Sequence, residues 1–95
     1  MTVSCEGDCG VIERLGEKQD FEAALTRRRY RHEDFMLHVL KSVVRGKRGA
    51  WNQDYAVTVA HVGSGKTNVY RGGPKHDWVR LCMADIDAGL FGPPM

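Results

Sequence analysis

The sequence of 95 residues predicts a small single-domain α+β protein. Three observations support this class. Apolar residues recur at helical spacing in the segments 21–31 and 34–45, residues 55–62 alternate as in a strand, and a helical pattern returns after Pro74. In chain order the elements are α-α-β-β-α, with the helices packed on one face of a small antiparallel sheet that contains the 55–71 hairpin.

The two ends of the chain carry weaker patterns. Residues 1–17 hold three glycines and two cysteines, and we expect them to form a loosely ordered N-terminal arm with one short strand or turn. The α+β domain then spans 18–92. Because proline cannot continue a helix, residues 93–95 are expected to be a tail.

Two helices are expected before the hairpin. Asp20 is placed to cap the first of them, over residues 21–31. The second is predicted at 34–45, since both faces of a strand there would be apolar. Its stripe occupies positions i, i+1, i+4, i+5 and i+8, which are Phe35, Met36, Val39, Leu40 and Val43.

The stretch "AHVGSGKTN" matches the loose consensus of a phosphate-binding loop over residues 60–67. Such a loop joins a strand to a helix, whose N-terminus receives the phosphates. Here "TNVYRGG" follows and is typical of a strand, so we interpret the stretch as a hairpin turn.

The predicted core combines these patterns with the last helix, where Trp78, Cys82 and Ile86 share one face. Its members are Phe35, Met36, Val39, Leu40, Val43, Val57, Val59, Val69, Trp78, Cys82 and Ile86.

Cysteine usage bears on the compartment. Three cysteines are an odd number and too few for a disulfide scaffold, so we expect reduced thiols. The first ten residues resemble no secretory leader, and no apolar run approaches the ~18 residues of a membrane span. The sequence thus predicts a cytoplasmic protein with no membrane partner.

Metal binding and catalysis are not expected, and no cofactor is predicted. Cys5, Cys9, His32 and His38 are weak metal candidates, but the two pairs lie 22 residues apart, where a two-Cys, two-His finger has about 12. Cys82 is expected to be buried and inert. No catalytic motif in the sequence lies in the predicted structural context that its mechanism requires. The sequence therefore predicts a protein that is not an enzyme.

Charge is unevenly distributed along the chain. Residues 27–48 contain eight bases against two acids, a net +6, so the other residues carry −4 of the chain's total of +2. This asymmetry is typical either of a contact surface for an anionic partner or of a solvated face. "RRRYRH" interleaves Tyr30 with arginines, and Trp51 follows the second basic cluster, so both aromatics are stacking candidates.

Two functions are therefore expected as alternatives. The first is non-catalytic binding of an anionic partner, either nucleic acid or an acidic protein, through Arg27, Arg28, Arg29, Arg31, Arg45, Lys47 and Arg48, with Tyr30 and Trp51 in support. The second is a homo-oligomeric protein-interaction or regulatory module that uses an exposed strand edge.

Overall fold

The structure is a computed structural model that describes residues 3–45, 51–73 and 76–93, with the backbone alone described at 42–45 and 51–54. Its elements, in chain order, are β1 (Ser4–Gly7), α1 (Cys9–Arg14), α2 (Glu17–Arg27), a single 3-10 turn (His32–Asp34), β2 (Phe35–Arg45), β3 (Trp51–His61), β4 (Lys66–Gly72) and α3 (Trp78–Asp87).

Within the described residues the four strands form one sheet in the order β1-β2-β3-β4. β1 is parallel to β2, and α1 and α2 lie in the connection between them, as a parallel pair requires. β2, β3 and β4 follow as an antiparallel meander. The α+β class and the 55–71 hairpin are confirmed. The elements α1, α2, β3, β4 and α3 occur in the predicted α-α-β-β-α order, with β1 added before α1 and β2 between α2 and β3.

The hydrophobic core lies between one face of the sheet and the helices, as predicted. Leu37 and Val39 of β2 are fully buried. Phe21 of α2 packs on Trp78 of α3, with ring centroids 5.3 Å apart, and on Phe35 at the start of β2. Since strand side chains alternate between faces, these contacts select the odd-numbered residues of β2 for the core.

The predicted second helix is wrong, because residues 35–45 form β2. Its sequence fits the helical stripe, but its backbone pairs with β3 over eleven consecutive positions, from Phe35↔His61 to Arg45↔Trp51. A strand was rejected because both of its faces would be apolar. Both faces of β2 do carry apolar residues. The described helices cover only one of these faces, so the apolar residues of the other face stay exposed.

Three residues predicted for the core consequently lie on the surface. Met36, Leu40 and Val69 are exposed by 40, 56 and 60%. All three face away from the helices. The expected burial of Met36 and Leu40 followed from a helical period, whereas Val69 lies on the predicted strand but on its outer face, and Tyr70 is buried instead. The side chain of Val43 lies outside the described residues. The remaining predicted core residues are buried, namely Phe35, Val39, Val57, Val59, Trp78, Cys82 and Ile86.

The N-terminal arm and the first helix also differ from expectation. The described part of 1–17 contains β1 and α1, and contributes the buried side chains of Val3 and Ile12 to the core. α2 begins at Glu17, four residues earlier than expected, after Gly16 in a left-handed conformation (φ 74°). Asp20 therefore lies inside the first turn and does not cap it.

The glycine-rich stretch is the turn of the β3–β4 hairpin, as predicted. Gly65 adopts the positive φ of 72° that the turn requires, and its amide donates to the carbonyl of His61 at 2.8 Å. The ring of His61 reinforces the turn, since Nδ1 accepts the Ser64 amide at 3.2 Å. The chain leaves this turn as β4, so the loop is not followed by the helix that phosphate binding needs.

Cysteine pairing corrects a further expectation. Cys5 in β1 and Cys9 at the start of α1 are joined by a disulfide, with their Cα atoms 6.1 Å apart. The expected reduced state is therefore wrong for two of the three cysteines. Cys82 is a free thiol and is buried, as predicted. Burial raises the pKa of the Cys82 thiol to about 12, so it stays protonated.

None of the described helices is long and apolar enough to cross a lipid bilayer.

Candidate nucleic-acid interface

The β2–β3 hairpin extends beyond the rest of the sheet. β1 pairs with β2 only as far as Val39, and β4 pairs with β3 only as far as Tyr55. Residues 42–45 and 51–54, which we call the ribbon, therefore pair only with each other in the described sheet. At about 3.4 Å per residue, the step from Lys41 to Arg45 spans about 14 Å. The molecule is correspondingly elongated, at 48 × 26 × 21 Å.

Asp8 fixes the ribbon's root on the β2 side. Its backbone amide donates to the carbonyl of Val39 at 2.8 Å, and its carboxylate accepts the backbone amide of Lys41 at 3.1 Å. Asp8 thus takes over the hydrogen bonding of β2 where β1 ends. Asp8 lies between Cys5 and Cys9, so their disulfide encloses this anchor. Sequence reasoning missed it, because the contact joins residues 33 positions apart.

Tyr55 fixes the root on the β3 side. Its hydroxyl donates to Glu17 Oε1, which also accepts from the indole Nε1 of Trp78 at 3.1 Å. The ring lies against Gly72, where a Cβ would come within 2.1 Å of Tyr55 Cε2. Burial, followed by the hydrogen bond to Glu17, raises the pKa of Tyr55, so the hydroxyl remains a donor. Helix α2, strand β3 and helix α3 therefore meet at the point from which the ribbon projects.

The ribbon and its connection are basic. Residues 41–54 contain Lys41, Arg45, Lys47 and Arg48 against a single acid, Asp54. The side chain of Lys41 is exposed at the root, and Arg45 stands opposite Trp51 in the register. Lys47 and Arg48 lie outside the described residues, and so do the side chains of Arg45 and Trp51. The backbone register places Arg45, the last residue of β2, at the far end of the described hairpin.

The first half of that segment is partly neutralised. Arg28 donates to both carboxylate oxygens of Asp87, at 2.8 and 3.1 Å, and to the carbonyl of Ala24. Arg31 pairs with Glu33 at 3.0 Å. Two of the four arginines between positions 27 and 31 are therefore engaged by carboxylates of their own chain.

Arg27 and Arg29 remain exposed, and no described carboxylate lies within 4.0 Å of either guanidinium. Tyr30 between them is not free to stack on a base. It is 8% exposed, its ring packs edge-on against Phe35, and its hydroxyl donates to the carbonyl of Gly92.

The structure does not bring the two basic clusters together. Arg27 to Arg31 precede the start of β2, and Arg45 ends it. The intervening strand of eleven residues is about 34 Å long at 3.4 Å per step. The predicted contact surface therefore separates into two surfaces at opposite ends of the sheet.

The four weak metal candidates are also dispersed. The thiols of Cys5 and Cys9 are consumed by their disulfide. His32 lies against α2, with Nδ1 3.4 Å from Glu22, whereas His38 lies on the opposite side of the sheet, in register with Thr58. In the part of the chain that the structure describes, no three potential ligands converge on a metal position.

A cavity of about 600 Å³ lies beside the ribbon's root, between the helices and β3. Its ionisable lining includes Glu17, Lys41, His76 and Asp77, with the Tyr55 ring as one wall. Among the described lining residues there is no serine, threonine or cysteine, the usual side-chain nucleophiles. The raised pKa of Tyr55 keeps its hydroxyl protonated, and Glu17 already accepts two hydrogen bonds.

Comparison of the chain with protein families, with curated proteins and with solved structures gave no match.

Proposed function

We propose that this protein binds nucleic acid without catalysis, and that the ribbon makes the principal contact together with Lys41 before it and Lys47 and Arg48 in the connection between its strands. The observation that carries the proposal is the projection of β2 and β3 beyond both of their neighbours, in the segment where four bases face one acid. A two-stranded ribbon is one of the two elements that the ~12 Å major groove of duplex DNA admits.

The rigid root supports this proposal. Asp8 and Tyr55 hold the two strands where they leave the sheet, so the ribbon's direction is set by the packed domain. A contact element held in this way loses less conformational freedom on binding than a free basic tail would. The proposal retains Arg45, Lys47, Arg48 and Trp51 from the predicted site and adds Lys41 at the root.

The arginines of the other cluster have a secondary place in the proposal. Arg28 and Arg31 would have to break ion pairs with Asp87 and Glu33 before they could bind phosphate. Arg27 and Arg29 carry no such restraint within the described residues, but they lie at the opposite end of β2. We therefore expect them to add a sequence-independent attraction.

The proposal is tested by fluorescence anisotropy with a labelled duplex and the corresponding single strand. About four phosphate contacts give a slope of about −3.6 when the logarithm of the association constant is plotted against that of salt concentration. We expect duplex binding with a slope of this size. Absence of binding to either oligonucleotide at about 50 mM salt would reject the proposal. Binding to an acidic protein would then be the remaining form of an anionic partner.

A homo-oligomeric interaction module is the second candidate function. It is favoured by β4, whose outer backbone edge is unpaired within the described sheet. Such an edge can accept a strand from another chain. Proline substitutions at alternate β4 positions would separate this mode from nucleic-acid binding, since they block added hydrogen bonds at the edge and leave the ribbon unchanged.

A cytoplasmic location remains a prediction. It was argued partly from reduced thiols, and the disulfide between Cys5 and Cys9 removes that support.

A further inference from the structure

The sheet face opposite the helices has an ordered arrangement of side chains. We call it the open face. It carries the even-numbered side chains of β1, of β2 as far as Leu40 and of β3 from Ala56, and the odd-numbered side chains of β4. No described helix packs on it, and Met36, Leu40 and Val69 expose 40, 56 and 60% of their surface there.

Size alternates across the two central strands of the open face. On β2, Met36 and Leu40 are large. Directly beside them in the register, β3 has Ala60 and Ala56. The open face therefore consists of a ridge along β2 and a trough along β3. Facing surfaces pack to native density when large side chains lie over small ones.

The two outer strands of the same face carry opposite charges. Glu6 is exposed on β1 at one edge, and Arg71 is exposed on β4 at the other. Their positions along the strands differ by one step of two residues, about 7 Å, which their extended side chains can bridge. Neither residue has an ion-pair partner within the described part of the chain.

We infer that a second copy of this chain packs on the open face, about a two-fold axis that runs parallel to the strands. This axis places β2 of one copy over β3 of the other, so that Met36 lies over Ala60 and Leu40 over Ala56. It also places β1 over β4 and brings Glu6 near Arg71 of the second copy. Two sheets aligned in this way follow the common face-to-face packing, with strand directions within about 30°.

The alternative axis in the plane of the contact, across the strands, is disfavoured by the same residues. It stacks β2 on β2 and β3 on β3, so large side chains meet large ones and the alanines meet each other. It also places β1 on β1 and β4 on β4, so each Glu6 is paired with a strand that carries Glu6, each Arg71 with a strand that carries Arg71, and neither acid comes near a base. Size and charge thus select one isologous arrangement.

The size of the open face indicates how strong the dimer is. Four strands about 4.8 Å apart and five residues of about 3.4 Å give a projected area of about 320 Å² per copy. A standard interface buries about 800 Å² per partner. The dimer is therefore of the weak, concentration-dependent class.

One consequence rests on the proposed function. A two-fold axis parallel to the strands preserves their direction, so the two ribbons project from the same end of the dimer. Two ribbons side by side would contact one duplex together, and the second contact would form at a high effective concentration. The dimer itself is argued from the open face alone.

The test is sedimentation equilibrium in the absence of nucleic acid, over protein concentrations from micromolar to millimolar. We expect an average mass that rises from monomer towards dimer. Leu40→Glu on the open face should raise the dissociation constant at least about tenfold, a change of about 1.4 kcal/mol. Leu81→Glu on α3, where Leu81 is 49% exposed, is the matched control and should leave it unchanged.

A charge exchange tests the orientation. Glu6→Arg and Arg71→Glu should each weaken the dimer, and the two together should restore it, because they exchange the signs of a facing pair. Circular dichroism checks that each variant is folded. A monomer at every concentration, an equal effect of Leu40→Glu and Leu81→Glu, or a double variant weaker than both single ones would overturn the inference. None of these results depends on whether the ribbon binds nucleic acid.

Discussion

Arg28 and Asp87, which are 59 positions apart in the chain, join the C-terminal ends of helices α2 and α3. The Arg28 guanidinium donates through Nε and one terminal nitrogen to the two carboxylate oxygens of Asp87, at 2.8 and 3.1 Å. This two-point geometry is the strong form of an arginine–carboxylate pair. The pair connects the C-terminal end of α2 to the last turn of α3. It also engages one of the arginines that we predicted, from the sequence, to contact an anionic partner.

The Arg28–Asp87 pair should make stability depend on pH under acidic conditions. The hydrogen bond from Arg28 lowers the pKa of Asp87 below its ordinary 3.8. A lowered carboxyl pKa contributes stability above the unfolded value, and this contribution is lost as the pH falls through the folded value. We expect Asp87→Asn to lower the melting temperature at neutral pH, with a difference from the parent protein that disappears in strong acid.

A double-mutant comparison isolates the pair. Arg28→Leu should destabilise the protein, and combining it with Asp87→Asn should add less than the sum of the two single changes. A strictly additive double variant, or a difference that persists unchanged in acid, would show that the contact contributes nothing in solution.

The three tyrosines of the chain should all ionise late. Burial is the main cause of a raised pKa at Tyr30, Tyr55 and Tyr70, and hydrogen bonds to Glu17 and Asp85 add to it at the latter two. A raised phenol pKa contributes stability below the unfolded value of about 10 and loses it as the pH rises towards the folded value. Phenolate absorbance should therefore remain low past that pH, until the protein unfolds. A tyrosine that titrates at its ordinary pKa in the folded protein would contradict the burial described here.

Gly7, next to the ribbon's anchor Asp8, should not tolerate a side chain. It has a φ of 82°, and a Cβ there would lie 2.3 Å from the carbonyl oxygen of Val39. Gly7→Ala is expected to destabilise the protein by about 1–3 kcal/mol, because both the backbone and its neighbour would be strained. Gly10→Ala is the control, since a Cβ at Gly10 meets nothing within 4 Å and the position is helical. It should be neutral or stabilising by up to about 1 kcal/mol. Urea unfolding measures both changes, and equal effects would refute the described packing of β1 on β2.

The disulfide gives a direct prediction of thiol content. Unfolded without reductant, the protein should react with one equivalent of a thiol reagent, at Cys82, and with three equivalents after reduction. Replacing Cys5 and Cys9 with serine should lower the free energy of unfolding by about 2 kcal/mol, as expected for so short a loop. Three reactive thiols before reduction would show that the bridge does not form, and would restore the original argument for a reducing compartment.

Strand β2, for which the sequence pattern predicted a helix, shows what a local pattern can and cannot predict. Residues 55–61 alternate because one face is buried and the other holds small or polar groups, and they were recognised as a strand. In β2, however, Met36 and Leu40 are apolar on the open face, which gives the segment a second set of apolar positions. Nothing local distinguishes that set from a helical stripe. The distinguishing contact is the pairing with β3, which joins residues up to 26 positions apart.

The candidate site was predictable in its composition but not in its geometry. The excess of bases in 27–48 is visible in the sequence, whereas the ion pairs of Arg28 and Arg31 are not, because Asp87 becomes a neighbour only when α2 and α3 pack together. The separation of the two basic clusters follows from the extended form of β2. As a helix the same residues would span about 15 Å, less than half their length as a strand.

The central claim is that the ribbon, and not the arginine cluster before β2, contacts nucleic acid. The most direct measurement compares duplex affinity, by anisotropy at fixed salt, for two charge-reversal variants. One is Arg45→Glu with Lys47→Glu and Arg48→Glu, and the other is Arg27→Glu with Arg29→Glu. We predict that the ribbon variant loses most of the affinity and about three units of salt slope, while the other loses little of either. The reverse order of effects would contradict it.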